Sequence, residues 1–396
     1  MNPNIQRLYN IARKESRLIV GLMSGTSLDG LDIALCRFRG NGKGTTVELL
    51  QFETKTYSED TKNKIRRLFA KEQVDLNFLC LFNEWLGNQH AEMVLESLCK
   101  WEIESHEVDL IGSHGQTIMH SPKSQHPNDE FGNGTLQIGD GDHIAVKTGI
   151  ITLSDFRQKH VAVGGEGAPL AVFCDFLLFS DELESRILLN IGGIGNFTYL
   201  PSKSEKAAVL VSDTGPGNTI MDAYMQRHWK VAYDDAGRFA SKGKVIEPLL
   251  RALLDDPFFQ LPLPRSTGPE YFNLRYLEAA QQRSHTVGAD NADVMATLNQ
   301  LTARSITDAI QKVAVEQHCP IYISGGGWHN QLLIDSLKSL LKGYKICDFS
   351  DLGIPGDAKE AVLFAALANE SVSGSPQDYP VGMLLPVSTG KVSFPG

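Results

Sequence analysis

Gly21-Leu22-Met23-Ser24-Gly25-Thr26-Ser27-Leu28-Asp29-Gly30-Leu31-Asp32 begins as an apolar run, breaks into small and polar residues, and then recovers. Residues 17–23 and 32–38 are short apolar segments on either side of the break, so the pattern predicts a β-hairpin. Residues 46–52 extend it with a third antiparallel strand. The loop Ser24-Gly25-Thr26-Ser27-Leu28-Asp29-Gly30 exposes amides and hydroxyls with few side chains in the way, which suits the close approach of phosphate. It lacks the Gly-x-x-x-x-Gly-Lys-[Ser/Thr] spacing of a P-loop, and no Gly-x-Gly-x-x-Gly opens a helix elsewhere. Asp29 and Asp32 lie at the same turn, where they would hold magnesium through water.

Working outward, residues 58–70 and 75–101 carry apolar side chains at helical spacing, with Ser58 and Asp75 placed as N-caps. A strand over 108–111 is expected to end in the polar turn Gly112-Ser113-His114-Gly115-Gln116-Thr117. Short strands at 135–138 and 151–153 follow, with a helix near 142–147. The glycine-rich run Val163-Gly164-Gly165-Glu166-Gly167-Ala168-Pro169 is the expected hinge, giving domains 1–165 and 166–396, the last residues packing back on the first.

Beyond the hinge the opening pattern begins again. Residues 187–191, 196–200 and 208–211 read as antiparallel strands around a second loop, Gly192-Gly193-Ile194-Gly195-Asn196. Helical patterns dominate 219–314, interrupted around 262–268. Strand 321–324 then runs into Gly325-Gly326-Gly327, and 357–369 reads as an apolar, alanine-rich helix. The expectation is a duplicated α/β domain whose three glycine loops hold a nucleotide in a central cleft, two at its phosphates and one at its adenosine.

A chain of 396 residues exceeds what one core usually supports, in agreement with two domains. The formal charge of −10 and the lack of a basic cluster argue against nucleic-acid binding. Six cysteines without Cys-x-x-Cys spacing indicate neither zinc nor a disulfide framework. No segment reads as a signal peptide or membrane span, so a cytoplasmic location is expected.

The opening stretch closely resembles the start of the anhydro-N-acetylmuramic acid kinase family. The resemblance continues, in order, through Gly112 to Thr117, Gln137-Ile138-Gly139, Asp155-Phe156-Arg157, Gly164 to Leu170, Asn190-Ile191-Gly192-Gly193 with Asn196, and Asp213-Thr214-Gly215-Pro216-Gly217-Asn218. Ser266-Thr267-Gly268 with Phe272-Asn273, Gly325 to Gly327, and Lys359-Glu360-Ala361 complete it. The sequence departs from the family pattern in a longer N-terminus before Arg17 and in a polar stretch at 126–134.

What the resemblance implies is an actin/hexokinase-type (ribonuclease H-like) fold of two domains, with mixed sheets flanked by helices and the active site in the interdomain cleft. It further implies a bacterial peptidoglycan-recycling enzyme that works as a homodimer. With ATP, Mg2+ and water, such an enzyme opens the 1,6-anhydro ring of its sugar and phosphorylates O6. The nucleotide and its magnesium would then be held by Gly25, Thr26, Ser27, Leu28, Asp29, Gly30, Leu31, Asp32, Gly192, Gly193, Asn196, Gly325, Gly326 and Gly327.

Asp213 follows an apolar strand and precedes Gly215-Pro216-Gly217. By its residues alone it reads as the N-cap of the next helix; by the resemblance it is the base that takes a proton from the attacking water. His114, Gln116, Gln137, Asp155 and Arg157 are sugar-site candidates, with the planar Arg157 guanidinium suited to the substrate's lactyl carboxylate. Histidine after a strand is also an ordinary structural residue, and Gln137 also reads as edge-strand polarity. Glu360 reads either as a cleft residue or as a surface glutamate favoured by its helix dipole. Two competing functions stand beside this one: a same-fold kinase of an ordinary sugar hydroxyl, and a non-catalytic nucleotide-dependent module.

Overall fold

The computed structural model describes residues 1–25, 27–126, 128–168, 170–202, 208–313, 319–375 and 388–396. Thr26 and Pro169 therefore lie outside the described residues. The chain divides into two compact units, Met1–Leu178 with Gly353–Gly396, and Phe179–Leu352.

The first unit is built on β1 (Ser16–Ser24), β2 (Gly30–Arg39), β3 (Thr46–Thr56), β4 (Leu110–Ser121), β5 (Gly134–Ile138) and β6 (Ile151–Ser154). The main sheet runs β6-β4-β1-β2-β3; β5 pairs with β4, and the C-terminal strand Lys391–Ser393 adds to β6. Neighbours β1, β2 and β3 are antiparallel, whereas β1, β4 and β6 are parallel. Because successive side chains alternate faces, Val20 and Leu22 of β1 pack with Phe82, Leu86 and Val94 of the helix Leu76–Lys100. Gly21 faces the other way. A methyl group there would sit 1.9 Å from the Ala361 carbonyl oxygen, and one on Gly112 would sit 2.1 Å from that of Phe364. The helix Lys359–Ser373 thus lies with its backbone directly on the sheet, which is why its buried face is rich in alanine.

The second unit repeats the plan with β7 (Arg186–Ile191), β8 (Ile194–Leu200), β9 (Leu210–Pro216), β10 (Ile321–Ser324) and β11 (Ile346–Asp348). Its order, β11-β10-β7-β8-β9, matches β6-β4-β1-β2-β3 strand for strand, again with three antiparallel neighbours followed by parallel pairs. Two mixed sheets flanked by helices, each with this ribonuclease H-like order, make up the α/β fold read from the sequence. Ile187, Leu189 and Phe197 pack against Ala303, Ile306 and Ile310 of the helix Asn291–Gln311. A separate helical core gathers around Met221, Leu249, Phe272 and Val294.

Three details differ from the sequence reading. Residues 112–117 are not a turn: β4 continues through them to Ser121, paired to β1 on one side and to β6 or β5 on the other. Their polarity misleads because these side chains are buried all the same: hydrogen bonds hold Gln116, His114 lies against Phe364, and Ser113 Oγ has no partner among the described residues. The division between units falls at 178/179 rather than 165/166. Helix Ala171–Phe179 belongs almost wholly to the first unit, where Cys174 Sγ–H donates to the Leu363 carbonyl and Asp175 pairs with Lys359 at 2.7 Å. The helix after Ser58 ends at Arg66, whereas 75–101 forms a single helix capped by Asp75.

Candidate active site

In the first unit, the hairpin leaves β1 after Ser24 and enters β2 at Gly30. Leu28 takes a left-handed backbone at φ 61° and is buried, as is Leu31, so both leucines give their side chains to the core. Ser27 and Asp29 are exposed. Ser24 is not available to a ligand: its hydroxyl is buried and donates to Gln116 Oε1 at 2.6 Å. Gln116 itself is fully buried and gives both amide protons to protein, to the carbonyls of Gly25 and Thr117. It braces the loop from below.

The other sugar-site candidates of this unit lie close by. His114 is buried against Phe364, and its Nε2 accepts from Arg157 Nε at 3.1 Å. Burial first, then the adjacent guanidinium, pushes the imidazole down to about 3, so it is neutral and carries its proton on Nδ1. Arg157 also donates to the Gly167 carbonyl at 2.8 Å, which leaves Nη2 without a hydrogen bond among the described residues. Gln137 donates to Thr117 and Thr135, while its buried Oε1 has no partner among the described residues. Asp155 pairs with Lys391. His114, Gln137, Asp155 and Lys391 line one cavity of about 310 Å³.

Acidic groups gather beside the loop. Asp32 accepts from Thr54 at 2.6 Å. Its carboxyl is raised above the ordinary range by burial, with Asp357 and Asp29 adding repulsion against the hydrogen bond from Thr54. Glu360 retains exposed surface, yet burial raises its carboxyl too, with Lys359 and Arg157 opposing and Asp32 and Asp175 reinforcing the shift. Mutual repulsion of this kind favours a cation. All the donors are hard oxygens, which fits Mg2+, an ion that keeps several waters and takes one or two carboxylates beside substrate phosphates. No cluster of three His, Cys, Asp or Glu among the described residues forms a closed metal cage.

In the second unit, Asp213 sits in β9, opposite Asn196 of β8, at an irregularity in the strand register. It does not cap the helix Thr219–Trp229, whose N-cap is Asn218. Instead its Oδ2 accepts from the Thr267 amide at 2.8 Å and the Ser266 hydroxyl at 3.2 Å. Burial raises the carboxyl above its usual range, against these two donors and Arg265. Oδ1 takes no hydrogen bond among the described residues.

Both glycine loops of this unit converge on one place. The carbonyls of Gly192 and Gly193 accept from the amides of Gly217, Asn218 and Thr219, which ties the loop to the start of the helix Thr219–Trp229. Gly325 and Gly327 pack against Asn190 and Ile191 at the end of β7. Gly326 and Asn218 line a cavity of about 450 Å³ together with Asp222, Tyr233, His329 and Asn330.

The glycines divide by what a methyl group would meet. At Gly30 it would sit 2.2 Å from the Lys55 carbonyl oxygen, at Gly325 2.6 Å from Asn190 Oδ1, and at Gly327 2.3 Å from Ile191 Cγ2, so packing alone demands these three. At Gly25, Gly192, Gly193 and Gly326 the nearest atoms are 3.5 to 3.7 Å away and φ is not positive, so the fold does not require glycine. Backbone without a side chain, where packing does not forbid one, is what a phosphate or nucleoside needs for close approach.

A sequence model of anhydro-N-acetylmuramic acid kinase matches residues 17–391. The chain belongs to this family. Among its relatives, the anhydro-N-acetylmuramic acid kinase of Pseudoalteromonas atlantica is 54% identical over all of both chains. That of Caldanaerobacter subterraneus subsp. tengcongensis is 40% identical over 98% of this chain and 100% of its own. Among solved structures, a ROK family glucokinase from Streptomyces griseus in complex with glucose and AMPPNP is 12% identical, covers 88% of this chain and 98% of its own, and has a TM-score of 0.34.

Several groups around the site of this anhydro-N-acetylmuramic acid kinase family member escaped the sequence reading as individual residues. Ser266 and Thr267 were visible only as part of a family motif. Their contact with Asp213 spans more than fifty positions and leaves no local pattern. Asp222, Lys391, Tyr57 and His90 carry no motif signal, and only the folded chain brings them to the two cavities or the loop.

Proposed function

We propose that this chain uses ATP and water to open the ring of 1,6-anhydro-N-acetylmuramic acid and phosphorylate its O6, giving N-acetylmuramic acid 6-phosphate for peptidoglycan recycling. Family membership over residues 17–391 supports the substrate. The observation that carries the chemistry is the Asp213 carboxylate, anchored through Oδ2 by Thr267 and Ser266 and open at Oδ1.

In this reading Oδ1 takes a proton from water as the water oxygen bonds to the anomeric carbon. The C1–O6 bond breaks, and its electron pair leaves O6 able to bond the γ-phosphorus while the bond to ADP is cleaved. The proton later passes from Asp213 to solvent. No nucleophilic side chain is required, because phosphoryl transfer depends on positioning and charge neutralisation. Gly25 and the amides after it, with Gly192 and Gly193, would approach the phosphates, and the cavity beside Gly326 would take adenosine. Asp32 and Asp29 would hold Mg2+ through water. When bound, that ion neutralises phosphate charge.

The sugar would lie against His114, Gln137 and Asp155, with Gln137 Oε1 accepting a hydroxyl or amide proton. The unused edge of Arg157 suits the lactyl carboxylate, and Glu360 borders the same region. A cytoplasmic location agrees with six cysteines that stand outside any disulfide and with the absence, among the described residues, of a helix long and apolar enough to cross a membrane. The homodimer belongs to this reading and is tested by the mass of the purified protein in solution.

Mass analysis of the product formed in 18O-labelled water tests sugar, water and phosphate together. The expected product carries one phosphate and one heavy oxygen at the anomeric carbon. A phosphorylated sugar with no solvent oxygen would point instead to a kinase of an ordinary hydroxyl, and absence of any sugar phosphate would end the kinase reading.

A further inference from the structure

Beneath the first hairpin lies a chain of buried polar groups that the mechanism above does not use. His90 Nε2 is 2.8 Å from the Tyr57 hydroxyl, which is 2.8 Å from Ser24 Oγ, which is 2.6 Å from Gln116 Oε1. Gln116 Nε2 then reaches the Gly25 carbonyl at 3.3 Å. All four side chains are no more than 2% exposed.

Donor counting fixes the direction of every bond. Gln116 must turn its amide nitrogen to the carbonyls of Gly25 and Thr117, so its oxygen must accept, and Ser24 must donate to it. Ser24 can then only accept from Tyr57. The single Tyr57 proton is thereby spent, so His90 must donate from Nε2. Burial pushes the His90 imidazole down to about 4, which keeps it neutral with one N–H, as this direction requires. Its Nδ1 has no partner among the described residues, as an unprotonated nitrogen permits. Each member polarises the next, so the bonds reinforce one another.

The geometry is local to the hairpin. Between Leu22 and Ser24 of β1 the pairing to β4 slips by one residue, with Gly115 at φ 73°, and this bulge brings Gln116 opposite Ser24. The far end of the chain grips Gly25, where the backbone is bare and no packing demands glycine. Holding that carbonyl restrains Gly25 at the start of the loop.

We propose that His90 and Tyr57 are positioning residues for the nucleotide: through Ser24 and Gln116 they hold Gly25, at the start of the loop that receives phosphate, by its carbonyl. This rests on the kinase reading above. Fixing the loop before ATP arrives spares the ordering cost at binding, so the loss falls on ATP affinity.

The test uses Tyr57→Phe, His90→Leu and His90→Gln, the last of which keeps an amide donor near the Nε2 position. Steady-state kinetics with ATP and sugar varied separately are combined with thermal melting and with hydrogen exchange of the residue 25–30 amides in the free protein. Tyr57→Phe and His90→Leu should raise the ATP KM on the order of tenfold, the worth of one or two buried hydrogen bonds. The sugar KM should hold, loop exchange should quicken, and His90→Gln should restore both ATP KM and exchange. A lower melting temperature with unchanged ATP KM and loop exchange would reduce the chain to a structural role and overturn the proposal. If the wild-type protein makes no sugar phosphate, the kinase reading fails by itself, while unchanged loop exchange in the variants would still overturn the positioning role.

Discussion

The backbone amide of Thr267 donates to Oδ2 of Asp213 across 2.8 Å. Ser266 adds a second donor to the same oxygen at 3.2 Å. Two bonds to one oxygen orient the carboxylate and leave Oδ1 as its basic face. They also oppose the burial that raises the carboxyl above its ordinary range.

Asp213→Asn should therefore cut turnover by about 10²- to 10⁴-fold, the usual contribution of a general base. Asparagine keeps the shape and an acceptor for Thr267, so ATP affinity measured by calorimetry should be unchanged. In the wild-type enzyme, kcat/KM should fall as pH drops through the Asp213 pKa. That acid limb should lie above the ordinary carboxylate range, and the variant should lack it. A variant with near-normal turnover would remove Asp213 from the proton transfer.

How far the sequence reveals this site depends on which force fixes each residue. The hairpins at Ser24 and Ile191 were legible because their flanking strands are driven inward by continuous apolar side chains. The passage of β4 through Gly112, Ser113, His114 and Gln116 was not, because small and polar residues fill buried positions there and carry no apolar pattern. The helix beginning at Lys359 announces itself by its alanines, and Gly21 and Gly112 are the matching half of that signal, a close backbone approach. Gln116 belongs to the expected cluster, but its amide is turned to Ser24 and Gly25, which residue type alone cannot tell. Tyr57 and His90 are invisible in sequence: one follows a strand and one lies within a long helix, and only the tertiary fold brings them within 2.8 Å.

Asp222 gives a stability prediction with a definite sign. It stands in the first turn of the helix Thr219–Trp229, lines the cavity beside Gly326, and makes no side-chain hydrogen bond among the described residues. Burial pushes its carboxyl up to about 6. An unfolded chain titrates this group near ~3.9, so the folded state binds the proton more tightly. The stability this contributes is full below the unfolded pKa and is lost as pH rises from about 4 to about 6. Asp222→Asn never ionises. Its melting temperature, without nucleotide, should match wild type in acid and exceed it at neutral pH. A difference that does not vary with pH would exclude ionisation of Asp222 as its cause.

The two kinds of glycine should separate folding from binding. At Gly192, alanine would find no atom closer than 3.5 Å and no positive φ, so Gly192→Ala should change stability by about 1 kcal/mol or less, in either direction. The same methyl group occupies the space over a bare loop backbone, and ATP affinity should fall. At Gly30, alanine would meet the Lys55 carbonyl oxygen at 2.2 Å, and strands β2 and β3 would have to part. Gly30→Ala should therefore cost about 1–3 kcal/mol, as overpacked sites do, with a clearly lowered melting temperature. Melting temperature and ATP affinity measured on both variants give the answer. If Gly192→Ala melts early and binds ATP normally, that loop is built for packing, and the phosphates must be sought elsewhere.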